Sequence, residues 1–308
     1  MTSTEREPGR PVIFGEVLFD RFPDGASVLG GAPFNVAWHL QGFGLAPLFI
    51  SRVGEDEPGQ RVRRAMAQWG MDTGGVQIDA RRPTGAVRVS LQEGQPSFDI
   101  LPERAYDYVD ADAAVGAAAK GPVAAVYHGT LIMRNDTSRR ALDELCAQRR
   151  GTSVFVDVNL RDPWWRESDL PSVLERARWV KVNEDELARI ASRLGQPAGT
   201  LEDTARRFQA LHDIELLVVT RGSLGAAAFQ AEGEVETVKP QGEVEVVDTV
   251  GAGDAFASVL LLGLLRAWSL PAAMERAQGF ASRICRQRGA TAANPELYME
   301  VMQRWNET

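Results

Sequence analysis

VVDTVGAGDAFASVLLLGLL, residues 246–265, places a turn of small residues, Gly251-Ala252-Gly253, between an extended run and an apolar stretch, with one carboxylate, Asp254, at the join. A strand ending at Asp248-Thr249, a tight turn and a helix from about Asp254 to Leu265 account for the pattern. The first N–H groups of a helix lack internal partners, and the macrodipole adds partial positive charge there. Glycines at 251 and 253 let an anion approach those amides closely, and Ala252 obstructs little. The turn therefore suits a phosphoryl group. Asp254 would repel that group unless it acts as a general base, taking a proton from a hydroxyl whose oxygen attacks phosphorus. The residues alone leave a second reading open, because Asp is favoured in the first turn of any helix and glycine-rich turns often precede helices. GAGDAF lacks the third glycine of a dinucleotide fingerprint, and neither a GxxxxGK[ST] loop nor the HRD and DFG signatures of protein kinases occur.

Outward from this turn, short apolar runs alternate with amphipathic stretches. Residues 11–15, 47–54, 123–129, 153–159, 178–183 and 215–222 read as buried strands, rich in Val, Ile and Phe. Residues 58–70, 138–151 and 199–213 read as helices, and helices at 254–268, 270–288 and 295–305 close the chain. Such alternation predicts an α/β fold, a mostly parallel sheet covered by helices on both faces, with its chemistry at the carboxyl ends of the strands. Two stretches break the rhythm. Residues 17–31 and 84–109 alternate with period two or are rich in turns, and 84–101 reads as a hairpin around EGQP. They form either a small antiparallel sheet serving as a lid or extra edge strands of the main sheet.

Composition narrows the function classes. The 308 residues carry 44% hydrophobic and 25% charged residues, the balance of a soluble globular protein. A net charge of -8 without a basic block speaks against nucleic acid as a partner. Two distant cysteines and three scattered histidines offer neither a disulfide framework nor a metal motif. The polar start MTSTEREPGR reads as a lead-in without a signal peptide, and the longest apolar run is shorter than a bilayer span. A cytoplasmic protein without membrane contact is expected.

DTVGAGDAF (248–256) resembles the C-terminal signature of the ribokinase-like, PfkB-type carbohydrate kinases, and GGAPFNVAWHLQGFG (30–44) is similar to their N-terminal signature. The resemblance extends over nearly the whole chain and lies closest to the fructokinase branch. It implies a single domain over 1–308 with the ribokinase-like three-layer αβα sandwich, and a β lid from about 17–31 and 84–109. It also implies an ATP-dependent sugar kinase. Asp254 would be the catalytic base and the amides of Gly251, Ala252 and Gly253 the anion hole. NEDE (183–186) matches the family's NxxE, so Asn183 and Glu186 would hold Mg²⁺ through water, as befits a cation reluctant to shed its hydration. By spacing alone, Asn183 reads as the N-cap of a solvated helix start; its place after strand 178–183 and the resemblance favour the metal role. TRGSLG (220–225) resembles a nucleotide-binding TxGxxG, with Thr220, Gly222 and Gly225 near ATP. Asp20, Asn35 and the Gly30-Gly31 backbone would hold the sugar, as their hydrogen-bonding capacity suits hydroxyls. DVNLRDPWW (157–165) resembles a DxNxRxxxW stretch of fructokinases and ketodeoxygluconate kinases, which implicates Asn159 and Arg161, while Trp164 and Trp165 read as core. Arg88 and Phe98 on the lid would close over the sugar and exclude water. Asp248 and Val250 would donate carbonyls to a monovalent cation such as K⁺.

Departures from the family keep the acceptor open. Phe34 is bulkier than the usual alanine and would reshape the sugar pocket. The pattern GGKGAN of ribokinases is absent, and the residue replacing an adenine-site asparagine within 277–291 is not legible. A 2-keto-3-deoxygluconate kinase would need a cation for the substrate carboxylate, with Arg88 and Arg104 as candidates. A nucleoside kinase would need a stacking slot, with Phe34 and Phe98 as candidates. A sugar- or nucleotide-sensing binding protein would have no need of Asp254, and a dehydrogenase would need a fingerprint where GEVLFD (15–20) stands. An apolar outer lid face would pair two copies through the lid.

Overall fold

A computed structural model describes residues 9–92, 95–242 and 246–307. Among these residues the strands are β1 (Arg10–Phe14), β2 (Leu18–Arg21), β3 (Ser27–Gly30), β4 (Leu48–Gly54), β5 (Val76–Asp79), β6 (Gly85–Gln92), β7 (Gln95–Ile100), β8 (Val123–Gly129), β9 (Ser153–Asp157), β10 (Trp179–Asn183), β11 (Leu216–Thr220), β12 (Ala226–Gln230) and β13 (Glu236–Val238). The α-helices are α1 (Ala32–Gly42), α2 (Glu57–Gln68), α3 (Ala111–Ala118), α4 (Asp136–Gln148), α5 (Leu170–Glu175), α6 (Glu184–Arg193), α7 (Leu201–Leu211), α8 (Ala252–Leu265), α9 (Leu270–Ile284) and α10 (Pro295–Glu307).

Nine strands form the main sheet in the order β13-β12-β11-β10-β9-β8-β1-β4-β5. Every pairing from β11 through to β5 is parallel, and only β12 and β13 attach antiparallel. Side-chain alternation along the strands feeds two cores. Ile13 of β1 packs into the layer of α1, α2, α8, α9 and α10. Its neighbours Val12 and Phe14 pack into the layer of α3 to α7. The result is the expected three-layer αβα sandwich. Helix α8 is apolar on all sides because it lies inside its layer, with Ala255 to Gly263 buried.

The second sheet runs β3-β2-β6-β7 and differs from the expected antiparallel lid. β2 and β6 are parallel, with Asp20 opposite Val87, while the β2–β3 and β6–β7 pairs are antiparallel. The chain passes through β3, α1, β4, α2 and β5 between β2 and β6, and a crossover of that length permits parallel pairing. Residues 101–109 contain no strand; Ala105–Tyr108 form a 3-10 turn instead. The hairpin tip at Glu93-Gly94 and the N-terminal lead-in through Pro8 lie outside the described residues.

Asp248-Thr249 also departs from expectation, for residues 246–249 are irregular rather than the end of a strand. The N–H groups of Val247 and Asp248 donate instead to the Cys285 carbonyl beyond α9. His39 ties the same region to α1. This fully buried ring meets the Tyr298 hydroxyl through Nδ1 at 2.8 Å and the Ala290 carbonyl through Nε2 at 2.9 Å. Burial holds its pKa down to about 4.

Candidate active site

Gly251 adopts a left-handed conformation, φ 82°, at the N-cap of α8, and a Cβ there would stand 2.3 Å from that of Ala290. Only glycine fits both the torsion and the contact. No side chain caps this helix start. Of the three amides expected to form an anion hole, that of Ala252 already donates to the Thr249 carbonyl at 3.2 Å. The cradle therefore depends on the flanking glycines. A Cβ on Gly253 would lie 3.6 Å from Lys181 Nζ, so a buried cation faces the open side of the turn.

Asp254 sits in the first turn of α8 and accepts a hydrogen bond from Asn35 Nδ2 at 2.7 Å. Burial pushes its pKa up to about 6, opposed by the Asn35 bond, raised further by Asp157 and lowered by Lys181 and Arg161. A carboxyl poised there is ionised at neutral pH yet basic enough to take a proton. Asn35 is 4% exposed, turned into the molecule from α1, and its Oδ1 has no partner. A point one Cβ away from Gly30 is 3.9 Å from that Oδ1 and 3.8 Å from Asp20 Oδ2. The structure thus brings Asp20, Gly30, Asn35 and Asp254 to one place. Burial raises the Asp20 pKa to about 6. Gly31, at φ 114°, starts α1 over the Glu16 carbonyl, which a Cβ would approach to 2.7 Å.

Other expected acceptor residues divide. Asn159 follows β9 in the left-handed region at φ 42°, a conformation asparagine tolerates and functional loops often hold. Arg161 is exposed and bonds the Leu160 carbonyl at 3.2 Å, close enough to Asp254 to lower its pKa. Strand alternation puts Phe98 on the Asp20 face of the small sheet, 54% exposed. The same alternation puts Arg88 on the opposite face, where it pairs with Asp99 at 3.3 Å. The structure does not bring Arg88 to the cluster. Phe34 does not enter it either: its side chain is fully buried against Phe49 and Trp38, with ring centroids 5.6 and 5.7 Å away. Trp164 and Trp165 are half-buried, each beneath an arginine.

Sequence reasoning missed a buried pair in the floor. Lys181 Nζ donates to both oxygens of Asp157, at 2.8 and 2.9 Å, and Tyr127 donates its hydroxyl to Asp157 at 3.0 Å. Both charged residues belong to runs that read as plain buried strands, and only the register of β9 on β10, Asp157 opposite Lys181, joins them. Asn183 caps α6 through Glu186 N at 2.8 Å, and Glu186 returns a bond to Asn183 N at 2.9 Å. The other Glu186 oxygen accepts from Leu160 N at 2.7 Å, which anchors the loop carrying Asn159 and Arg161. Asn183 is therefore an N-cap, and Glu186 has both oxygens engaged. Among the described residues no three carboxylates, histidines or cysteines converge as metal ligands. Asp157, Glu186 and Asp254 nevertheless outnumber Lys181, their common cation neighbour. That donor set fits a hydrated divalent cation held through water, not direct chelation.

On the far side of the turn, Thr220 ends β11 half-buried, and Gly222 and Gly225 have φ 55° and 89°. A Cβ on Gly225 would collide with the Val238 carbonyl at 1.9 Å. Beyond them, a cavity of about 250 Å³ opens between β13 and α9, lined by Val238, Lys239, Gln278, Gly279 and Ser282 among others. Nothing in 277–291 distinguishes these positions in sequence, since they alternate with core residues on one helix. Asp248 holds the turn from below, accepting from Val250 N at 3.0 Å and Gly289 N at 3.1 Å. No helix among the described residues is long and apolar enough to cross a membrane.

Residues 13–297 match the pfkB family of carbohydrate kinases. A fructokinase of Klebsiella pneumoniae is 32% identical over 268 residues, 83% of this chain and 84% of its own. An uncharacterized sugar kinase of Pyrococcus horikoshii, solved in complex with ATP, superposes with a TM-score of 0.75 at 26% identity, covering 91% of this chain and 93% of its own. A double mutant of the Vibrio cholerae O395 fructokinase, in its fructose, ADP and potassium ion bound form, superposes with a TM-score of 0.80 at 24% identity, covering 96% of this chain and 99% of its own.

Proposed function

The chain belongs to the pfkB family of carbohydrate kinases and is an ATP-dependent carbohydrate kinase, and on that premise we propose that it is a fructokinase using Asp254 as its base. The observation that carries the mechanism is the 2.7 Å bond from Asn35 to Asp254. It joins the acceptor-holding groups to a carboxylate at an uncapped helix start. In this reading Asp20, Asn35 and the Gly30-Gly31 backbone hold a ketohexose, and Phe98 covers it from the small sheet. Asp254 takes the proton of the primary hydroxyl as its oxygen attacks the γ-phosphorus. The amides of Gly251 and Gly253, with Lys181 behind them, stabilise charge on the transferring group. Thr220, Gly222 and Gly225 line the nucleotide phosphates and ribose, and the cavity beside Gln278 takes the base. Glu186 and Asp157 would hold Mg²⁺ through water; bound there, the ion neutralises phosphate charge. A monovalent cation, such as the potassium ion bound in the V. cholerae fructokinase structure, would in this reading sit by the Asp248 and Val250 carbonyls.

Fructose is favoured by the similarity to the K. pneumoniae fructokinase. The burial of Phe34 removes one of the two aromatic walls a nucleoside would need. Exposed Val28 and Phe98 lie on the Asp20 face of the small sheet, so pairing of two copies through it would use that face rather than the outer one. A coupled ADP-release assay across fructose, other hexoses, 2-keto-3-deoxygluconate and nucleosides tests the assignment. Fructose should give the highest kcat/KM; a nucleoside or sugar acid at the top of the panel would replace it.

A further inference from the structure

Three side chains near the carboxyl ends of β1 and β8, where the strand order reverses, carry polar atoms without partners. Glu16 follows β1, is 4% exposed, and its Oε2 accepts no bond. Tyr106 is fully buried in the 3-10 turn after the small sheet, with its hydroxyl unpaired. Arg134 lies in a second 3-10 turn, Leu131–Arg134, after β8. Its Nε and Nη2 grip Asp107 at 2.7 and 2.8 Å, and Nη2 also reaches the Leu101 carbonyl at 2.8 Å, while Nη1 has no partner. The guanidinium stands between the rings of Trp164 and Tyr106, 4.6 and 5.0 Å from their centroids.

Glu16 connects this group to the acceptor cluster. Its carbonyl lies directly under Gly31, and its carboxyl feels the charges of Arg161 and Asp254 as well as that of Arg134. Tyr106 and Arg134 each feel Glu16 in turn. Folded proteins leave few buried polar atoms unsatisfied, so those of Glu16, Tyr106 and Arg134 call for an occupant. The inventory narrows its chemistry. Glu16 Oε2 and Asn35 Oδ1 accept, Arg134 Nη1 donates, and the Tyr106 hydroxyl does either. Asp107 already balances the Arg134 charge and Asp157 that of Lys181, and Glu16, Asp20 and Asp254 together outnumber the remaining nearby cation, Arg161. An anionic acceptor would meet an acidic wall. A neutral polyol, whose hydroxyls both donate and accept, matches the set.

We propose that Glu16, backed by Tyr106 and Arg134, is a specificity-determining residue that holds an acceptor hydroxyl and selects neutral polyols over sugar acids. This rests on the reading of the site as a sugar kinase's and names the class of acceptor it takes.

The test uses the full chain as wild type, Glu16→Gln and Tyr106→Phe, with fructose and 2-keto-3-deoxygluconate as probes. Burial raises the Glu16 pKa to about 7, so at about pH 8 to 8.5 it is mostly ionised and a hydrogen bond to it is worth about tenfold in affinity. Assayed there, Glu16→Gln should raise the fructose KM about tenfold with kcat within about threefold. The fructose-to-sugar-acid ratio of kcat/KM should fall by about the same factor, and Tyr106→Phe should move it the same way by less. Melting curves establish that each variant is folded; where Glu16→Gln is not, Tyr106→Phe decides. Folded variants whose selectivity stays within about threefold of wild type overturn the proposal alone, because a structural role would change stability without changing that ratio. Wild-type turnover of the sugar acid but not of fructose overturns both the proposal and the fructokinase reading.

Discussion

Gly253→Ala separates catalysis from folding at the turn. Gly253 lies in the first turn of α8 without the positive φ of Gly251, and a methyl there meets only Lys181 Nζ, at an ordinary contact distance of 3.6 Å. Alanine in place of a helical glycine stabilises by about 0.5–1 kcal/mol. For a chain of this size the melting temperature should rise by roughly 1–3 °C. The same methyl projects into the space between the helix start and the Lys181 ammonium, where the proposed mechanism puts phosphoryl oxygens. Alanine keeps the N–H, but its methyl holds the phosphoryl oxygens off it, which amounts to losing one anion-hole donor and lowers kcat by about 10²–10³. The variant should therefore lose at least about 100-fold in kcat while melting no lower than wild type. Gly251→Ala is the contrasting control: its Cβ would stand 2.3 Å from that of Ala290 at φ 82°, so it should unfold more easily, by about 1–3 kcal/mol. Coupled ADP release and calorimetry read both. Gly253→Ala turnover within about threefold of wild type, at an unchanged melting temperature, would refute the placing of the phosphoryl group against these amides.

Asp254→Asn should keep its fold and its affinity for fructose while kcat drops by about 10²–10⁴, measured by steady-state kinetics beside isothermal titration. Because burial raises the Asp254 pKa to about 6 and the ionised form is the base, activity should be full above that pH and fall as pH drops through it; a pH–kcat/KM profile flat down to pH 5 would contradict the assignment. Lys181→Met strands the buried Asp157 carboxylate and should cost about 3–5 kcal/mol in urea unfolding, and adding Asp157→Asn should recover much of the stability but not the turnover. His39 is neutral when folded, with a pKa held near 4 against an ordinary value near 6.5, so its share of stability is complete above pH 6.5 and is lost as pH falls toward 4; His39→Gln should flatten that part of the stability–pH curve.

Most of the main sheet was legible because strand and helix periodicities are local. The runs at 123–129 and 215–222 needed only their own apolar content to be read, and the glycines of 251–253 only their freedom of conformation and lack of bulk. The small sheet was half legible: its strands alternate visibly, but the parallel joining of β2 to β6 depends on a crossover through two helices. Arg88 illustrates the limit. Its chemistry suits a lid, yet the register of one strand on another turns it to the far face.

By itself, then, the sequence determined an α/β chain with a phosphoryl-suited turn and a lone carboxylate at its edge, since these rest on near-neighbour torsions and burial. Only the tertiary structure decided which groups meet that carboxylate. Asn35 reaches Asp254 across 219 positions because α1 packs on α8. Lys181 reaches Asp157 because β10 lies beside β9 in one register. Phe34 disappears into the core because its face of α1 is turned to Phe49. Such meetings depend on how whole layers pack, which no window of neighbouring residues encodes.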